Sequence, residues 1–187
     1  MRMVLLLLLC AAMLSAAAPA VHALDGMIVH PFEPTGGASL VFFVRTDCPI
    51  SNGYAPEIQR ICASYQSKRV ACTLIYEDVD VKPAAVRRHL AEYGFGHFTA
   101  AIDTDRTAAK YARAKVTPTA VLVDSHGSIR YRGRINNLYA SLGRPRQQVT
   151  EHDLNNALDA VLTGQPVAKP ETQALGCYIV DPAVLRK

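Results

Sequence analysis

The sequence predicts an α/β fold in which a mixed central β-sheet carries helices on both faces. Two short runs, 39–44 and 70–76, are apolar on both sides, which is typical of buried central strands. Each run is followed by residues with helical spacing, which indicates parallel strands joined by helical crossovers. Two later strands, 120–124 and 129–135, are separated by a short turn that contains glycine, which predicts an antiparallel hairpin. The resulting order, βαβαβαββα, combines both kinds of strand pairing in one sheet.

The chain begins with the layout of a secretory signal peptide. A basic residue precedes the apolar run 3–18, which contains a single polar side chain and is followed by small residues. The tripeptide at 21–23, Val-His-Ala, fits the small-residue pattern of a cleavage site, so we expect residues 1–23 to form the signal peptide. Ala18 and Ala20 are alternative cleavage points. This layout predicts a periplasmic or secreted protein with no stable membrane insertion after cleavage.

The composition indicates one compact domain after the signal. The chain has 187 residues, of which 50% are hydrophobic and 19% are charged, and its formal net charge is +4. That charge is too small to indicate a nucleic-acid partner. We expect a domain over 24–164, followed by a proline-punctuated tail over 165–187 that carries Cys177.

The remaining elements follow from apolar spacing and from turn and cap signals. In order, the sequence predicts a strand at 39–44, a helix that starts beyond Cys48, a strand at 70–76, a helix at 82–93, a strand at 98–102, a helix at 104–114, the hairpin, and a helix at 151–162. The last helix has the clearest signals. Thr150 is its expected N-cap, Asp153 lies in its first turn and Gly164 follows its end.

Cys48 lies where a reactive thiol is expected. It stands between the strand at 39–44 and the next helix, with Pro49 in a position suited to the first helical turn. The free N–H groups of that turn and the positive end of the helix dipole stabilise a thiolate. Asp47 adds an opposing negative charge, which Arg45 can offset. The alternative is a small apolar side chain without chemistry, but we expect Cys48 to be the nucleophile.

Two segments of the chain carry a resemblance to a known family. Residues 41–48 read Val-Phe-Phe-Val-Arg-Thr-Asp-Cys, and residues 116–124 read Val-Thr-Pro-Thr-Ala-Val-Leu-Val-Asp. Together they resemble the thioredoxin-like superfamily, in particular exported redoxins of the alkyl hydroperoxide reductase/thiol-specific antioxidant (AhpC/TSA) and TlpA-like groups. The resemblance covers roughly residues 39–162 and implies a thioredoxin-like fold.

The resemblance also implies roles for individual residues. It aligns Cys48 with the nucleophilic first cysteine of the family's Cys-x-x-Cys motif, and Pro56 with the position where the active-site helix kinks. It further implies a cis peptide bond between Thr117 and Pro118. The backbone of these two residues would then face an extended substrate segment beside Cys48.

The sequence departs from the family motif at the second cysteine. Ser51 stands there, giving Cys-Pro-Ile-Ser, so a mixed disulfide on Cys48 must be resolved by a thiol outside the motif. Ser51 can still donate a hydrogen bond to the thiolate. Cys177 is the candidate resolving thiol because the tail is long enough to return across the sheet, and the alternative is a thiol that only packs. Phe42 replaces the buried acid of thioredoxins, which removes an aid to proton transfer.

The other cysteines admit two interpretations. Cys62 lies on the apolar stripe of the active-site helix and Cys72 lies on the following strand. They can form a structural disulfide that closes a short loop, or they can remain two buried thiols. Because both positions are already explained as core, we slightly favour the free thiols.

The histidines and a run of arginines receive structural interpretations. No histidine has metal-ligand spacing, so we expect neither a metal nor another cofactor. His89 lies on an apolar stripe and is expected to be a hydrogen-bonded core residue. Arg130, Arg132 and Arg134 alternate along one strand face, which favours a solvated charged edge over an anion-binding surface.

Three functional hypotheses follow. The leading one is an exported thiol-disulfide oxidoreductase in which the Cys48 thiolate attacks a disulfide or an oxidised sulfur and Cys177 or an external thiol completes the cycle. Its partners would be protein or small-molecule thiols and disulfides. The second is a peroxiredoxin-like peroxidase that acts on peroxide, although Arg45 and Val41 stand where that family has Thr and Pro. The third is a non-catalytic redoxin-fold module that holds a metal or a protein partner.

Overall fold

The computed structural model describes residues 17–185, so residues 1–16 of the expected signal peptide lie outside the described part of the chain. The strands are β1 (Val21–Ala23), β2 (Ile28–Val29), β3 (Ala38–Val44), β4 (Val70–Tyr76), β5 (Thr99–Ile102), β6 (Val116–Thr117), β7 (Thr119–Val123), β8 (Ile129–Gly133), β9 (Tyr139–Ser141), β10 (Arg144–Pro145) and β11 (Cys177–Tyr178). The helices are α1 (Pro49–Gly53), α2 (Ala55–Gln66), α3 (Pro83–Glu92), α4 (Thr107–Ala112), α5 (Asp153–Leu162) and α6 (Pro182–Leu185). Within residues 17–185, no helix has the length and apolar character needed to cross a bilayer.

Seven strands form the central sheet, in the order β2-β1-β5-β4-β3-β7-β8. β3, β4 and β5 are parallel neighbours, and Val44 at the end of β3 lies opposite Tyr76 at the end of β4. β7 runs antiparallel to both β3 and β8. The predicted mixed sheet and its late hairpin are therefore confirmed.

Helices cover both faces of this sheet. Residues of α2, α3 and α5 pack with Leu40 and Phe42 of β3 on one face. Alanines of α4 pack with Val41 and Phe43 on the other face. Because neighbouring strand residues point to opposite faces, β3 supplies both cores and is buried along its whole length. The predicted α/β class, with helices on both faces, is confirmed.

Two predicted helices have different ends in the structure. α4 is shorter than the predicted span 104–114, because Arg106 and Arg113 at its ends adopt left-handed backbone with φ of 58° and 53°. α5 begins at Asp153, and the expected N-cap Thr150 is wrong. The Thr150 hydroxyl instead accepts a hydrogen bond from Asn137 Nδ2 at 2.7 Å, so Thr150 fixes a loop rather than a helix end.

Part of the expected signal peptide belongs to the sheet. Residues 21–23 form β1, which pairs antiparallel with β5 and β2, and Val21 is only 4% exposed. Cleavage after Ala23 would remove this strand, whereas cleavage after Ala18 or Ala20 would leave it in place. The cleavage site itself stays a prediction.

Cys62 and Cys72 form a disulfide with an S–S distance of 2.10 Å. The preference for two free thiols was wrong. The sequence shows that each position belongs to the core, but it does not show that the two side chains face each other. They do so because α2 packs back onto β4 in the crossover that follows β3, and their Cα atoms lie 6.2 Å apart. The bond ties the active-site helix to the sheet.

Candidate active site

Cys48 lies where β3 gives way to α1. It is the N-cap residue of α1, and Pro49 takes the first helical position, where its missing N–H costs no hydrogen bond. Cys48 Sγ accepts a hydrogen bond from Ser51 N at 3.5 Å. Cys48 has 0% exposed surface. A strand end and a short helix therefore position the thiol, as the sequence predicts, but the thiol is buried.

The helix beyond Cys48 breaks where the sequence predicts a kink. α1 ends at Gly53, α2 begins at Ala55, and Pro56 lies in the first turn of α2. Proline has no N–H to donate, so the hydrogen-bond ladder cannot run unbroken from one helix into the next. Tyr54 at the junction donates its hydroxyl to the Asn136 carbonyl at 3.0 Å. This bond fixes the break against the loop that follows β8.

The Thr117–Pro118 peptide bond is cis, as the resemblance implies. It lies directly against the reactive cysteine: Cys48 Sγ is 3.2 Å from the Thr117 carbonyl oxygen, to which the protonated thiol donates. Thr117 is buried at the end of β6. The two segments that carry the family resemblance thus meet at one point.

The tail returns to that same point. β11 pairs antiparallel with β6, and Cys177 lies opposite Thr117. Gly176 lies so close to Thr117 that a Cβ atom at position 176 would overlap the Thr117 carbonyl oxygen. The Thr117 carbonyl oxygen is 3.2 Å from Cys48 Sγ, so Thr117 lies between the two cysteines, and each thiol shifts the pKa of the other. The structure therefore brings near each other the two thiols that the sequence could relate only by the length of the tail.

Hydrogen bonds hold the tail beyond Cys177. Arg45 Nη1 donates to the Tyr178 carbonyl at 3.2 Å. Arg106 Nε donates to the Val180 carbonyl at 3.1 Å. Because Arg45 belongs to the loop that leads into Cys48, the active-site loop and the tail are fixed to each other.

The tail is also held ahead of Cys177, along β8. The Thr172 and Tyr131 hydroxyls are 2.6 Å apart, and Thr172 accepts a further bond from Arg134 N at 3.1 Å. Thr172 N donates to the Arg132 carbonyl at 3.0 Å. Cys177 therefore lies between two anchored stretches.

The arginines of β8 take part in this anchoring and do not form the expected solvated edge. Arg132 Nη1 lies 3.4 Å from Glu171 in the tail, and its side chain is mostly buried. Arg134 Nε lies 2.7 Å from Asp153 at the start of α5. Only Arg130 stays substantially exposed, with Asp124 at 3.8 Å. The prediction was wrong for Arg132 and Arg134 because tail and helix cover the edge that the strand would otherwise present to solvent.

The two thiols of the site differ in acidity. Burial tends to raise the pKa of Cys48, but hydrogen bonds from Cys177 and from Ser51 outweigh it and hold that pKa below its ordinary value. Burial and the adjacent Cys48 raise the pKa of Cys177 to about 11. Of the two thiols, Cys48 therefore ionises more readily, and Cys177 keeps its proton to higher pH.

The Ser51 hydroxyl lies near the Cys48 sulfur. It is buried, it has no hydrogen-bond partner within residues 17–184, and it lowers the pKa of Cys48. A hydroxyl at this position stabilises the thiolate without being able to form a disulfide with it. Phe42, at the position of the buried thioredoxin acid, is fully buried in the apolar core.

Asp78, for which the sequence predicts no role, fixes the loop ahead of Cys48. Its two carboxylate oxygens accept from Thr46 N at 3.0 and 3.1 Å, and one of them also accepts from the Thr46 hydroxyl. Asp78 follows β4, the parallel neighbour of β3, so the loops after both strands meet at one edge of the sheet. The sequence signal that could have indicated this role is a polar residue directly after a central strand.

Arg106 and Glu77 form a buried pair behind this loop, which the sequence did not indicate. Arg106 Nε lies 3.3 Å from Glu77, and both side chains are almost wholly enclosed. Burial, with the nearby Asp103 carboxylate, raises the pKa of Glu77 to about 10. Arg106 also donates to the Asp78 carbonyl at 3.2 Å. One guanidinium thereby connects the Asp78 loop with the tail.

His89 is the hydrogen-bonded core residue that the sequence predicts. Its Nδ1 is 2.9 Å from the Tyr76 hydroxyl, and burial lowers its pKa, so the ring is neutral near pH 7. Its Nε2 is 2.9 Å from Asn52 Oδ1, and Asn52 Nδ2 donates to the Thr46 carbonyl at 3.1 Å. The second contact, which the sequence did not predict, ties α3 to the active-site helix.

Comparisons with known proteins connect this geometry to a fold. No protein-family model matches the chain, and no curated protein matches it. Its structure is similar to that of a hypothetical protein from Sinorhizobium meliloti 1021, with a TM-score of 0.74 and 25% identity over 88% of this chain and 91% of that chain. An uncharacterized conserved protein from Geobacillus kaustophilus gives a TM-score of 0.73 and 25% identity over 87% of this chain and 88% of that chain.

A third solved structure is that of a named redox protein. It is a secreted Mycobacterium tuberculosis disulfide oxidoreductase homologous to E. coli DsbE, with a TM-score of 0.56 and 17% identity over 76% of this chain and 96% of that chain. The TM-score supports a shared fold for the two proteins. The chain therefore has a thioredoxin-like fold.

Proposed function

We propose that this chain is a thiol-disulfide oxidoreductase that uses Cys48 as its nucleophile and Cys177 as its resolving thiol. One observation carries the proposal: Cys177 lies opposite Thr117, the residue before the cis bond, and the Thr117 carbonyl oxygen is 3.2 Å from Cys48 Sγ. The second thiol that the Cys-Pro-Ile-Ser motif lacks is thus supplied by the tail.

The chemistry divides into two exchange steps. In the first, the Cys48 thiolate attacks one sulfur of a substrate disulfide, forming a Cys48 mixed disulfide and releasing the other substrate sulfur as a thiolate. In the second, the Cys177 thiolate attacks Cys48 Sγ, which releases the remaining substrate thiolate and leaves a Cys48–Cys177 disulfide. The substrate gains two electrons and the protein loses two. A separate thiol partner must then reduce the Cys48–Cys177 disulfide before the protein can act again.

The acidities of the two thiols suit this order. The charge on Cys48 helps to keep the pKa of Cys177 high in the reduced protein. Once Cys48 is in a mixed disulfide, that charge is gone and Cys177 loses its proton more readily. Cys177 therefore becomes a nucleophile after the first step and not before it.

The exported location is part of the proposal. The sequence layout of a signal peptide supports it, and so does the Cys62–Cys72 disulfide, since structural disulfides persist in oxidising compartments. We place the chain near the exported AhpC/TSA and TlpA-like redoxins, in the periplasm or outside the cell. Protein or small-molecule thiols and disulfides would be its partners.

A disulfide map tests the proposal. Reduced protein is mixed with oxidised glutathione, quenched in acid, alkylated and mapped without reduction. Wild type is expected to give a Cys48–Cys177 peptide pair, Cys177→Ser is expected to stop at glutathione on Cys48, and Cys48→Ala is expected to give no Cys177 crosslink. Wild type in which Cys48 and Cys177 both remain alkylated would overturn the proposal.

The same map separates the peroxidase alternative. Peroxide in place of oxidised glutathione would have to convert Cys48 to a sulfenic acid or drive the same disulfide at low concentration. A Cys48 that reacts with oxidised glutathione and resists peroxide identifies disulfide exchange as the function.

A further inference from the structure

The tail occupies the place beside Cys48 where an extended partner segment would lie. β11 covers the free edge of β6, with Cys177 opposite Thr117. The approach is so close that Gly176 has no room for a side chain against the Thr117 carbonyl. A second extended segment cannot pair with β6 while β11 is in place.

The bonds around the tail keep it there. Beyond Cys177, the carbonyls of Tyr178 and Val180 accept from Arg45 and Arg106. Ahead of it, Thr172 is bonded to β8 through its hydroxyl and its backbone N–H. These contacts are distributed on both sides of the cysteine, so opening the edge of β6 requires several bonds to break together.

Access to the two sulfurs is unequal. Cys48 has 0% exposed surface, whereas Cys177 is half-buried and the adjacent Tyr178 is 75% exposed. Thiol-disulfide exchange depends on which sulfur can be reached and on which thiol leaves more readily. Of the two cysteines, the one with solvent-exposed surface is therefore on the tail.

The leaving tendencies agree with the access. A thiolate released at Cys48 is stabilised by the Ser51 N–H at 3.5 Å and by the Ser51 hydroxyl. A thiolate released at Cys177 would lie in a site that disfavours its charge. Cleavage of the Cys48–Cys177 disulfide that releases Cys48 as the thiolate is therefore easier than cleavage that releases Cys177.

We propose that an external thiol reduces the oxidised protein by attacking Cys177 and not Cys48, so that the mixed disulfide with the partner forms on the tail. This rests on the proposed function, because it presupposes a Cys48–Cys177 disulfide. The partner thiolate forms a bond to Cys177 Sγ as the Cys177–Cys48 bond breaks, and Cys48 leaves as a thiolate. A second partner thiolate then attacks the partner sulfur, releasing the oxidised partner and a Cys177 thiolate that takes up a proton. Because no strand pairing with β6 is needed, a small monothiol suffices as reductant.

The position of the mixed disulfide gives the direct test. Oxidised wild type, in which the Cys48–Cys177 bond is first verified by mass, is mixed with reduced glutathione, quenched in acid at short times and alkylated after unfolding. Glutathione is expected on the Cys177 peptide and the alkyl group on Cys48. Glutathione found mainly on Cys48 would overturn the inference. Failure of the starting disulfide to form would instead count against the proposed function, so the two failures are distinguishable.

A rate measurement gives a second readout that does not require an accumulated intermediate. Ser51→Ala removes a hydroxyl that stabilises the Cys48 thiolate, so the pKa of Cys48 rises and Cys48 becomes a poorer leaving group. Reduction of the oxidised variant by glutathione should then slow, by roughly threefold for each unit of pKa. An unchanged rate in Ser51→Ala, with its Cys48–Cys177 disulfide intact, would show that Cys48 is not the group that leaves.

Discussion

Cys177 lies directly opposite Thr117 in an antiparallel strand pair, and the Thr117 carbonyl oxygen is 3.2 Å from the buried sulfur of Cys48. The Cys-Pro-Ile-Ser motif lacks the second cysteine of a thioredoxin motif. Cys177 places a different cysteine near Cys48. The approach to the motif is also closed by the strand that carries this cysteine. The burial of Cys48 and the resolving role that we propose for Cys177 both depend on how firmly the tail lies on β6.

The first prediction concerns the fit of the tail against Thr117. Gly176→Ala adds a Cβ that overlaps the Thr117 carbonyl oxygen, so the tail must shift outward. In a Cys177→Ser background, where Cys48 is the remaining free thiol within residues 17–185, Gly176→Ala should speed alkylation of Cys48 by iodoacetamide about tenfold, which corresponds to about 1.4 kcal/mol of easier opening.

Gly36→Ala provides a matched control for that measurement. A Cβ at Gly36 meets no atom within 4 Å, so this glycine-to-alanine change should leave the alkylation rate of Cys48 as it was. Equal rates in the Gly176→Ala and Gly36→Ala proteins would show that the tail does not shield Cys48.

The second prediction concerns the acidity of Cys48. Cys177→Ala removes a hydrogen-bond donor to the Cys48 sulfur, so the pKa of Cys48 should rise. Cys177→Ser retains a donor at the same position and should raise it less. The measurement is the pH dependence of Cys48 thiolate absorbance or of its alkylation rate. The same midpoint in all three proteins would contradict a role for Cys177 in stabilising the thiolate.

The same acidity has a consequence for stability. The folded-state pKa of Cys48 lies below its unfolded value. Ionisation of Cys48 therefore adds stability above the unfolded pKa, and that contribution is lost as the pH falls through the folded pKa. Denaturant unfolding of wild type against Cys48→Ala should show a stability difference that shifts in favour of wild type as the pH is raised through this range.

The third prediction concerns the Cys62–Cys72 disulfide. The bond closes a loop with a sequence separation of 10, for which loop-closure entropy corresponds to about 2–3 kcal/mol. The double variant Cys62→Ala/Cys72→Ala should lower the free energy of unfolding in urea by that amount and keep the exchange chemistry of Cys48. A variant as stable as the oxidised wild type would indicate that the disulfide does not constrain the chain.

The fourth prediction concerns the start of the folded domain. A chain that begins at Leu24 lacks β1 and the buried side chain of Val21, which corresponds to a loss of about 2 kcal/mol. In thermal unfolding it should melt about 6 °C below a chain that begins at Val21. A chain that begins at Pro19 should have the same melting temperature as the chain that begins at Val21. Equal melting temperatures for all three chains would mean that β1 does not stabilise the fold.

Local patterns predicted much of the fold and half of the site. The strand at 70–76 has the predicted bounds in the structure, because an apolar run between turn residues specifies a buried strand without further context. Cys48 and the cis bond at Thr117–Pro118 were also predicted, since each lies in a segment whose short-range sequence is distinctive. The helix ends were less predictable, because left-handed residues such as Arg106 and Arg113 carry no sequence signal for that conformation.

The parts that could not be predicted depend on contacts between distant segments. β11 has two residues and no apolar pattern of its own, so its pairing with β6 appears only when the tail is folded. Asp78 acts through Thr46 across two loops, and the facing of Cys62 and Cys72 depends on how α2 packs on β4. Such relationships follow from the crossover geometry and not from the residue types alone.

The order of the chain gives the Cys48–Cys177 arrangement a consequence for biogenesis. On the proposed export from the N-terminus, Cys48, Cys62 and Cys72 reach the oxidising compartment before Cys177 does. During that interval Cys48 lacks both the strand that covers it and the resolving thiol proposed for it, so it is free to pair with Cys62 or Cys72. Docking of the tail then brings Cys48 its proposed partner thiol.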